Sequence, residues 1–284
     1  MPLIKLFTKG NFNFAWKLAR LPIFIYIGLL IVMFVFENRL VFQPTVETGI
    51  PPQDERKNNR HRYITVNEHQ IHALFVEREN PICYAIYFHG NGGNIIHRTS
   101  LLEWLSTRLN ISILGVSYSG YGYSRGRPSE RQFYEDAESS LAYMTSQFKI
   151  PPSRIMLFGE SLGGVVATRL AAQHQIPLLA LDSTFTSLCD VAQTHYPWLP
   201  VKYLMRNRFS SLPFAGQFVG TTIQTHGTDD QIVPFQLGKQ LADSFGGNHT
   251  LIQREGGRHN EAPSGEYIRA LEIEINKLYK AQTE

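Results

Sequence analysis

The sequence predicts an α/β protein in which helices cover both faces of one mostly parallel, doubly wound sheet. Short apolar runs alternate with longer helical segments from Tyr63 onward, and this alternation is typical of strand–helix–strand units. Several of the apolar runs end in glycine-rich or polar loops. The chain has 284 residues, of which 43% are hydrophobic, so it can form one large domain with an appendage.

The N-terminal segment predicts a membrane anchor. Residues 1–20 hold four basic side chains and no acidic one, and residues 21–36 are sixteen uncharged, mostly apolar residues. A spanning helix needs about 17 to 25 apolar residues, and snorkelling of Arg20 beside the aromatic flank makes up the small deficit. A core helix is disfavoured because every face of the run is apolar and the run lies outside the predicted folded domain. A cleaved signal peptide is disfavoured because no small-residue cleavage site follows.

Basic residues around this predicted transmembrane helix indicate its orientation. Residues 1–20 contribute four of them, whereas the twenty residues after the helix contain only Arg39 and Arg56. Because flanks rich in Lys and Arg stay in the cytoplasm, we expect a single-pass protein with a cytoplasmic N-terminus and its domain on the opposite side. Residues 37–60 contain three prolines and many polar residues, which predicts a linker or a strap over the domain.

Residues 61–284 are expected to form the sheet and its helices. The first two strands, 62–66 and 72–77, are joined at Asn67 and Glu68. Further apolar runs predict strands, and the longer segments between them predict helices. The expected strands are 84–88, 111–116, 155–158, 178–181, 222–225 and 250–253, and the expected helices are 96–108, 129–147, 165–172, 235–245 and 266–280.

An insertion at residues 185–220 interrupts the alternation. Its aromatic residues include Tyr196, Trp198, Tyr203, Phe209 and Phe214. Two interpretations are open: these side chains belong to the core, or they form a small helical cap that lines a substrate entry. The position of the insertion over the carboxyl ends of the strands favours the cap.

One stretch carries the strongest chemical information. The apolar run 155–158 leads into Gly159-Glu160-Ser161-Leu162-Gly163-Gly164, and an alanine-rich helix follows. A strand, a sharp turn and a helix hold the serine in a strained conformation, for which Gly159 and Gly163 leave room. The hydroxyl of Ser161 is then free of the sheet and lies at a helix N-terminus. A chance match in a loop is the alternative, and the flanking strand and helix disfavour it.

A serine nucleophile needs a base, and the base needs an acid that orients it. In this topology both follow on loops after later strands. Asp230 is the favoured acid because it lies in the loop after the strand at 222–225, and Asp182 and Asp229 are the alternatives. His259 is the favoured base because, of ten histidines, it alone lies in a glycine-flanked loop after the last strand.

Acyl transfer also needs donors for the oxyanion that forms on the substrate. One is the backbone N–H of Leu162, the residue after Ser161. The second is expected from the loop at 89–94, His-Gly-Asn-Gly-Gly-Asn, where we favour the N–H of Asn91. A plain glycine-rich turn or a phosphate loop is the alternative, although no Lys follows as a phosphate loop requires.

Five motifs follow one another along the chain, and a strap, Val41-Phe42-Gln43-Pro44-Thr45, follows the anchor. The motifs lie at 89–94, 119–130, 159–164, 226–230 and 257–260. Together they resemble the α/β-hydrolase superfamily, and more narrowly its membrane-anchored α/β-hydrolase-domain branch, which is related to serine aminopeptidase-like hydrolases. The resemblance implies the α/β-hydrolase fold, a Ser161–Asp230–His259 triad and hydrolysis of esters or thioesters, with lipid-like acyl substrates among those of relatives. One departure is Ser117-Tyr118-Ser119, where Asp-Tyr-Arg is usual, so the charge pair of that segment is absent.

Three functions compete at this point. The first is a membrane-anchored serine hydrolase that acts on esters or thioesters. The second is a peptidase with the same triad, which would need an acidic partner for a free N-terminus, and Glu160 and Asp182 are the suspects. The third is a non-catalytic binding protein, which is disfavoured because candidates for all three triad members are present.

The composition limits the classes of partner and ligand that we expect. The net charge is +3, and the basic residues are scattered beyond the N-terminus, so we expect no nucleic-acid surface. Cys83 and Cys189 lack the spacing of metal ligands and are interpreted as small buried hydrophobes. We expect neither a metal nor a cofactor. The expected partners are a small-molecule or lipid-like acyl substrate and the membrane.

Overall fold

The computed structural model describes residues 9–49 and 60–279, and the side chains from residue 20 onward. Short 3-10 turns precede the second helix and the seventh strand. The elements follow in the order α1 (Lys9–Val41), β1 (Gln43–Pro44), β2 (His61–Val66), β3 (His69–Val76), β4 (Tyr84–Phe88), β5 (Gly92–Gly93), α2 (Thr99–Leu109), β6 (Ser112–Val116), α3 (Glu130–Phe148), β7 (Ile155–Glu160), α4 (Leu162–His174), β8 (Leu178–Asp182), α5 (Leu188–His195), α6 (Val201–Leu204), α7 (Leu212–Ala215), β9 (Thr221–Gly227), α8 (Phe235–Ala242), β10 (Asn248–Arg254) and α9 (Gly265–Tyr279).

An eight-stranded sheet organises the domain, in the order β10-β9-β8-β7-β4-β6-β3-β2. The strands from β10 to β6 in that order run parallel, whereas β3 is antiparallel to both β6 and β2. β2 and β3 form the expected hairpin, in which Asn67 takes a positive φ of 52° that a two-residue turn requires. The predicted mostly parallel, doubly wound sheet is therefore confirmed.

Both faces of the sheet are covered, which explains why the central strands are continuously apolar. In β7, Ile155 and Leu157 pack with the cluster that includes Val165 of α4. Met156 and Phe158 point to the other face, where helices α2 and α9 pack. Burial of each such side chain contributes roughly 1.5–3 kcal/mol, so the alternation along one strand stabilises two layers of helices at once.

The apolar N-terminal run belongs to a helix longer than expected. α1 extends from Lys9 to Val41, and its stretch Arg20–Val41, 22 residues, is long and apolar enough to cross a membrane by length and composition. Only 6% of the most apolar window in that stretch is buried. Residues 37–41, which we assigned to the linker, continue the helix. Residues 1–8, 50–59 and 280–284, parts of the predicted N-terminal segment, strap and domain, lie outside the described residues.

The insertion at 185–220 packs against α1. Glu37 of α1 is buried, and its carboxylate accepts the backbone N–H groups of Arg206 and Asn207, each at 2.8 Å. Nearer the N-terminus of the helix, the hydroxyl of Tyr26 donates to the carbonyl oxygen of Trp198 at 2.9 Å. The two ends of this contact are eleven residues apart, about 16 Å along a helix, so the insertion lies alongside the second half of α1.

Candidate active site

Ser161 stands on the turn between β7 and α4, as the Gly-x-Ser-x-Gly pattern predicted. Its backbone has φ 51° and ψ −118°, a conformation that costs a non-glycine residue about 1–3 kcal/mol. Gly163 is required beside it, because a Cβ there would lie 2.1 Å from the carbonyl oxygen of Phe88. The side chain of Ser161 is only slightly exposed and faces an open cavity.

His259 and Asp230 lie in line with this serine. The Nε2 atom of His259 is 3.1 Å from Ser161 Oγ, and its Nδ1 atom is 2.7 Å from Asp230 Oδ2. The loops that carry the two residues follow the adjacent strands β9 and β10, and Asp229 N–H donates to the carbonyl oxygen of Gly257. Gly227 permits this approach, because a Cβ there would lie 2.2 Å from the same oxygen.

Asp230 is held as an ionised acceptor. Its Oδ1 accepts the N–H groups of Ile232 and Val233 at 2.9 and 2.8 Å, and His226 Nε2 lies 3.3 Å from its Oδ2. Burial alone raises the pKa of this carboxyl, but the hydrogen bonds from His226 and His259 outweigh it and hold the pKa well below its usual range. A carboxylate can only accept, so His259 Nδ1 must donate, and the neutral ring presents an acceptor Nε2 to the serine hydroxyl.

The two alternative acids have other surroundings. Asp182, at the end of β8, pairs with Arg254 at 2.9 Å and accepts the hydroxyl of Ser183. Burial raises the pKa of the Asp182 carboxyl although Arg254 opposes the shift. Asp229 is exposed to solvent. The structure therefore brings Asp230 alone, among the three candidates, to His259.

The loop predicted to supply the second oxyanion donor lies next to the serine. A Cβ built on Gly90 would be 3.4 Å from Ser161 Cβ, and Asn91 lines the same cavity as Ser161. Leu162 is the first residue of α4, so its amide has no acceptor inside the helix. Both predicted donor residues are thus neighbours of Ser161, and their role in binding an oxyanion stays a prediction.

A cavity of about 710 Å³ opens beside Ser161 and His259. Its apolar wall is formed by Tyr87, Leu101, Leu105, Phe158, Ala180, Ile232, Pro263 and Tyr267. Among the described residues that line it, none comes from the insertion at 185–220. The expectation that aromatic side chains of the insertion line a substrate entry is wrong for this cavity. Trp198 packs beside Tyr26 instead, and Phe209 packs in the core against Phe133.

An ion pair that the sequence did not predict lies in the cavity wall. Arg98 binds Glu160 through Nη2 at 2.9 Å and Nε at 3.3 Å, and the hydroxyl of Tyr87 donates to the same carboxylate. Burial by itself raises the pKa of Glu160, but the charge of Arg98 outweighs it, and the net pKa is lowered. The sequence did contain a signal for this ion pair, namely a glutamate beside the nucleophile at the end of a buried strand. A buried carboxylate requires a cationic partner, so such a partner could have been expected.

The segment Ser117-Tyr118-Ser119, which differs from the usual Asp-Tyr-Arg of the hydrolase branch that this chain resembles, is held by hydrogen bonds and not by a charge pair. Ser119 donates its backbone N–H and its hydroxyl to Asp136 of α3, at 2.7 and 2.8 Å. The hydroxyl of Ser117 accepts the N–H of Ile95 at 3.2 Å. Burial raises the pKa of the Asp136 carboxyl to about 6. These bonds fix the turn that begins at Gly120, so the missing pair leaves the local packing intact.

Metal-binding geometry is absent from the part of the chain that the structure describes, since no group of three or more His, Cys, Asp or Glu side chains could hold an ion there. Cys83 and Cys189 are both free, and both are buried, which agrees with their interpretation as small buried hydrophobes.

Proteins related in sequence match between 61% and 74% of this chain. No protein-family model matches the chain. An uncharacterised protein of Mycobacterium tuberculosis is 36% identical over 172 residues, which are 61% of this chain and 61% of that protein. The uncharacterised protein YfhR of Salmonella typhi is 30% identical over 223 residues, 74% of this chain and 73% of the relative. The α/β-hydrolase domain-containing protein WAV2 of Arabidopsis thaliana is 26% identical over 227 residues, 72% and 73% of the two chains.

Solved structures with the same fold are more distant in sequence. An esterase of Pyrococcus furiosus superposes with a TM-score of 0.67 at 16% identity, over 84% of this chain and 97% of that one. A monoacylglycerol lipase of Paleococcus ferrophilus gives 0.56 at 18% identity, over 73% and 98%. A puromycin-hydrolysing peptidase of Mycobacterium tuberculosis gives 0.59 at 19% identity, over 79% and 41%.

A doubly wound sheet with a serine on its strand–helix turn, and with acid and histidine loops after later strands, defines the α/β-hydrolase class. The relative named as an α/β-hydrolase domain-containing protein and the superposed folds agree with that class. The chain belongs to the α/β-hydrolase superfamily.

Proposed function

We propose that the protein is a serine hydrolase that cleaves carboxylic ester or thioester bonds through an acyl-enzyme on Ser161. The observation that carries the proposal is the pair of short contacts, 3.1 Å from Ser161 Oγ to His259 Nε2 and 2.7 Å from His259 Nδ1 to Asp230 Oδ2. His259 would accept the serine proton as Oγ attacks the acyl carbon, and Asp230 would stabilise the imidazolium.

The remaining steps follow from the neighbours of the serine. The oxyanion that forms on the acyl carbonyl would be bound by the backbone N–H groups of Leu162 and Asn91. His259 would then give its proton to the departing alcohol or thiol, leaving the acyl group on Ser161. A water molecule deprotonated by His259 would attack the acyl-enzyme and release the acid.

Charge compensation in the cavity favours esters over peptides with a free N-terminus. Such a peptide brings an ammonium group, which needs an unpaired carboxylate. Glu160 is neutralised by Arg98 and Asp182 by Arg254, each at 2.9 Å. The other carboxylate on the cavity wall, Glu261, is exposed, so water screens its charge. The superposed structures include an esterase, a lipase and a peptidase, and the paired carboxylates of the cavity support ester hydrolysis among these reactions.

Paired substrates test this proposal. We expect p-nitrophenyl esters to be hydrolysed with a kcat/KM at least about 100-fold above that of aminoacyl p-nitroanilides, because the ester is the more reactive acyl group and because the ammonium of the anilide meets no buried carboxylate that lacks a cationic partner. A fluorophosphonate probe should label one site, which peptide mass spectrometry would place on Ser161. Preferential cleavage of the anilides would show that the reaction is that of a peptidase.

We further propose that α1 anchors the protein in a membrane, with its N-terminus on the cytoplasmic side. The length and composition of Arg20–Val41 support the anchor, and the basic residues before it support the orientation. Gln43, two residues after the end of α1, lines the cavity beside Ser161. The cavity therefore lies close to the point where the chain leaves the anchor, which suits lipid-like acyl substrates.

The packing of the insertion on α1 makes this anchor testable. The ring of Trp198 lies 6.4 Å from that of Tyr26, whereas Trp104 is a partly exposed residue of α2. In vesicles, brominated acyl chains should quench the fluorescence of a W16F/W104F variant, in which Trp198 is the one tryptophan left. The matched W16F/W198F variant, which reports on Trp104, should keep its emission. Equal quenching of the two variants would contradict an anchor in this position.

A further inference from the structure

The segment that joins α1 to the domain is hydrogen-bonded to the loop at 90–93. β1 pairs with β5, so that Gln43 lies opposite Gly92 and Pro44 opposite Gly93. The N–H of Thr45 donates to the carbonyl oxygen of Gly93 at 3.1 Å, and the side chain of Asn94 donates to the carbonyl oxygen of Thr45 at the same distance. Within the predicted strap, residues 42–47 thus hold the far end of this loop, and from here on the word strap refers to these six residues.

Tyr121 holds the middle of the same loop. Its ring is fully buried, and its hydroxyl donates to the carbonyl oxygen of Asn91 at 2.9 Å, with the side-chain oxygen of Asn91 at 3.3 Å. Gly122, the next residue, bonds the strap through its N–H to Thr45 and through its carbonyl oxygen to Glu47, each at 2.9 Å.

A loop of this composition needs such external bonds. Gly90, Gly92 and Gly93 flank Asn91, and glycine populates many backbone conformations at little cost. An oxyanion donor contributes only if its N–H is already aimed where the charge develops. Burial raises the pKa of Tyr121, so its hydroxyl keeps the proton that it donates to the loop.

We propose that Tyr121, together with the strap, is a positioning residue that aims the N–H of Asn91 at the oxyanion. This inference rests on the proposed function of Ser161. It assigns a role to the Gly-Tyr-Gly turn at 120–122, which the triad does not use. It also means that the strap, which starts one residue after α1 ends, is part of the catalytic site.

A hydroxyl deletion tests this role in the full-length protein. We expect Tyr121→Phe to lower kcat for a p-nitrophenyl ester by roughly 10- to 100-fold, less than the loss of a donor itself, with KM changed by less than about threefold. The affinity for an alkyl boronic acid, which forms a tetrahedral adduct with the serine, should fall by a similar factor. If the hydroxyl had a purely structural role, kcat and the affinity for the boronic acid would both stay at the values of the parent protein.

Tyr279→Phe is the matched control. The hydroxyl of Tyr279 is equally buried and donates to the backbone carbonyl oxygen of Ile155 at 3.1 Å, at the opposite end of β7 from Ser161. We expect its kcat to stay within about twofold of the parent. Unchanged kcat in Tyr121→Phe, a change confined to KM, or an equal loss in both variants would overturn the inference. If the parent itself shows no turnover that depends on Ser161, the proposed function fails instead.

Discussion

Replacing Ser161 with alanine is expected to lower kcat for ester hydrolysis by at least about 10⁴-fold and to abolish fluorophosphonate labelling. The hydroxyl is the atom that forms the acyl-enzyme, and His259 Nε2, 3.1 Å away, has no other proton to take at that position. The fold should persist, because alanine removes one oxygen from a side chain at the edge of a cavity. Thermal unfolding and circular dichroism of the variant would establish that the loss is chemical.

Ser183→Ala supplies a matched control for this variant. Ser183 follows the neighbouring strand β8, is buried, and shares the positive φ of 51°. Its hydroxyl donates to Asp182 at 2.9 Å, and no histidine nitrogen is among its hydrogen-bond partners in the part of the chain described. We expect this variant to keep its labelling and most of its turnover. Labelling that survives in Ser161→Ala and disappears in Ser183→Ala would identify a different nucleophile.

Residues close together in sequence were the predictable part of this molecule. The turn around Ser161 follows from an apolar run, two glycines and an alanine-rich helix, all within about twenty residues. The central strands β4, β6, β7 and β8 were predictable because they are largely apolar and are buried on both faces. The loops of Asp230 and His259 were predictable from their order after later strands, since adjacent parallel strands end at one edge of the sheet.

Contacts between residues that are far apart in the sequence were not predictable, because no sequence pattern links one residue of such a pair to the other. Arg98 and Glu160 are 62 residues apart, and Glu37 and Arg206 are 169 apart. A buried charge predicts that a partner of opposite charge exists, but it does not predict which residue is that partner. The surroundings of the aromatic side chains in the insertion were unpredictable for the same reason: Trp198 lies beside Tyr26 of α1 and Phe209 packs in the core, whereas Tyr203 is exposed to solvent.

Asp230→Asn is the second variant from which we expect a loss of about 10⁴-fold in kcat. The Oδ1 position of Asp230 already accepts two backbone N–H groups, from Ile232 and Val233, so the amide oxygen of an asparagine would take that place. Its NH₂ group would then face His259 Nδ1, which could no longer donate. The ring would place its proton on Nε2, facing Ser161, and so could not accept the proton of the serine.

Asp229→Asn is the control for this variant, because the neighbouring carboxylate is exposed and its loss should leave kcat within about twofold. Stability supplies a second measurement. Folding lowers the pKa of Asp230, so its carboxylate stabilises the native state above the unfolded pKa of about 3.9, and this contribution is lost as the pH falls through the lower folded value. The difference in unfolding free energy between parent and Asp230→Asn should therefore shrink as the solution is acidified. A catalytic loss in Asp182→Asn that exceeds the loss in Asp230→Asn, without unfolding, would assign the orienting acid to β8, because only the residue that fixes the imidazole tautomer can control the proton of Ser161.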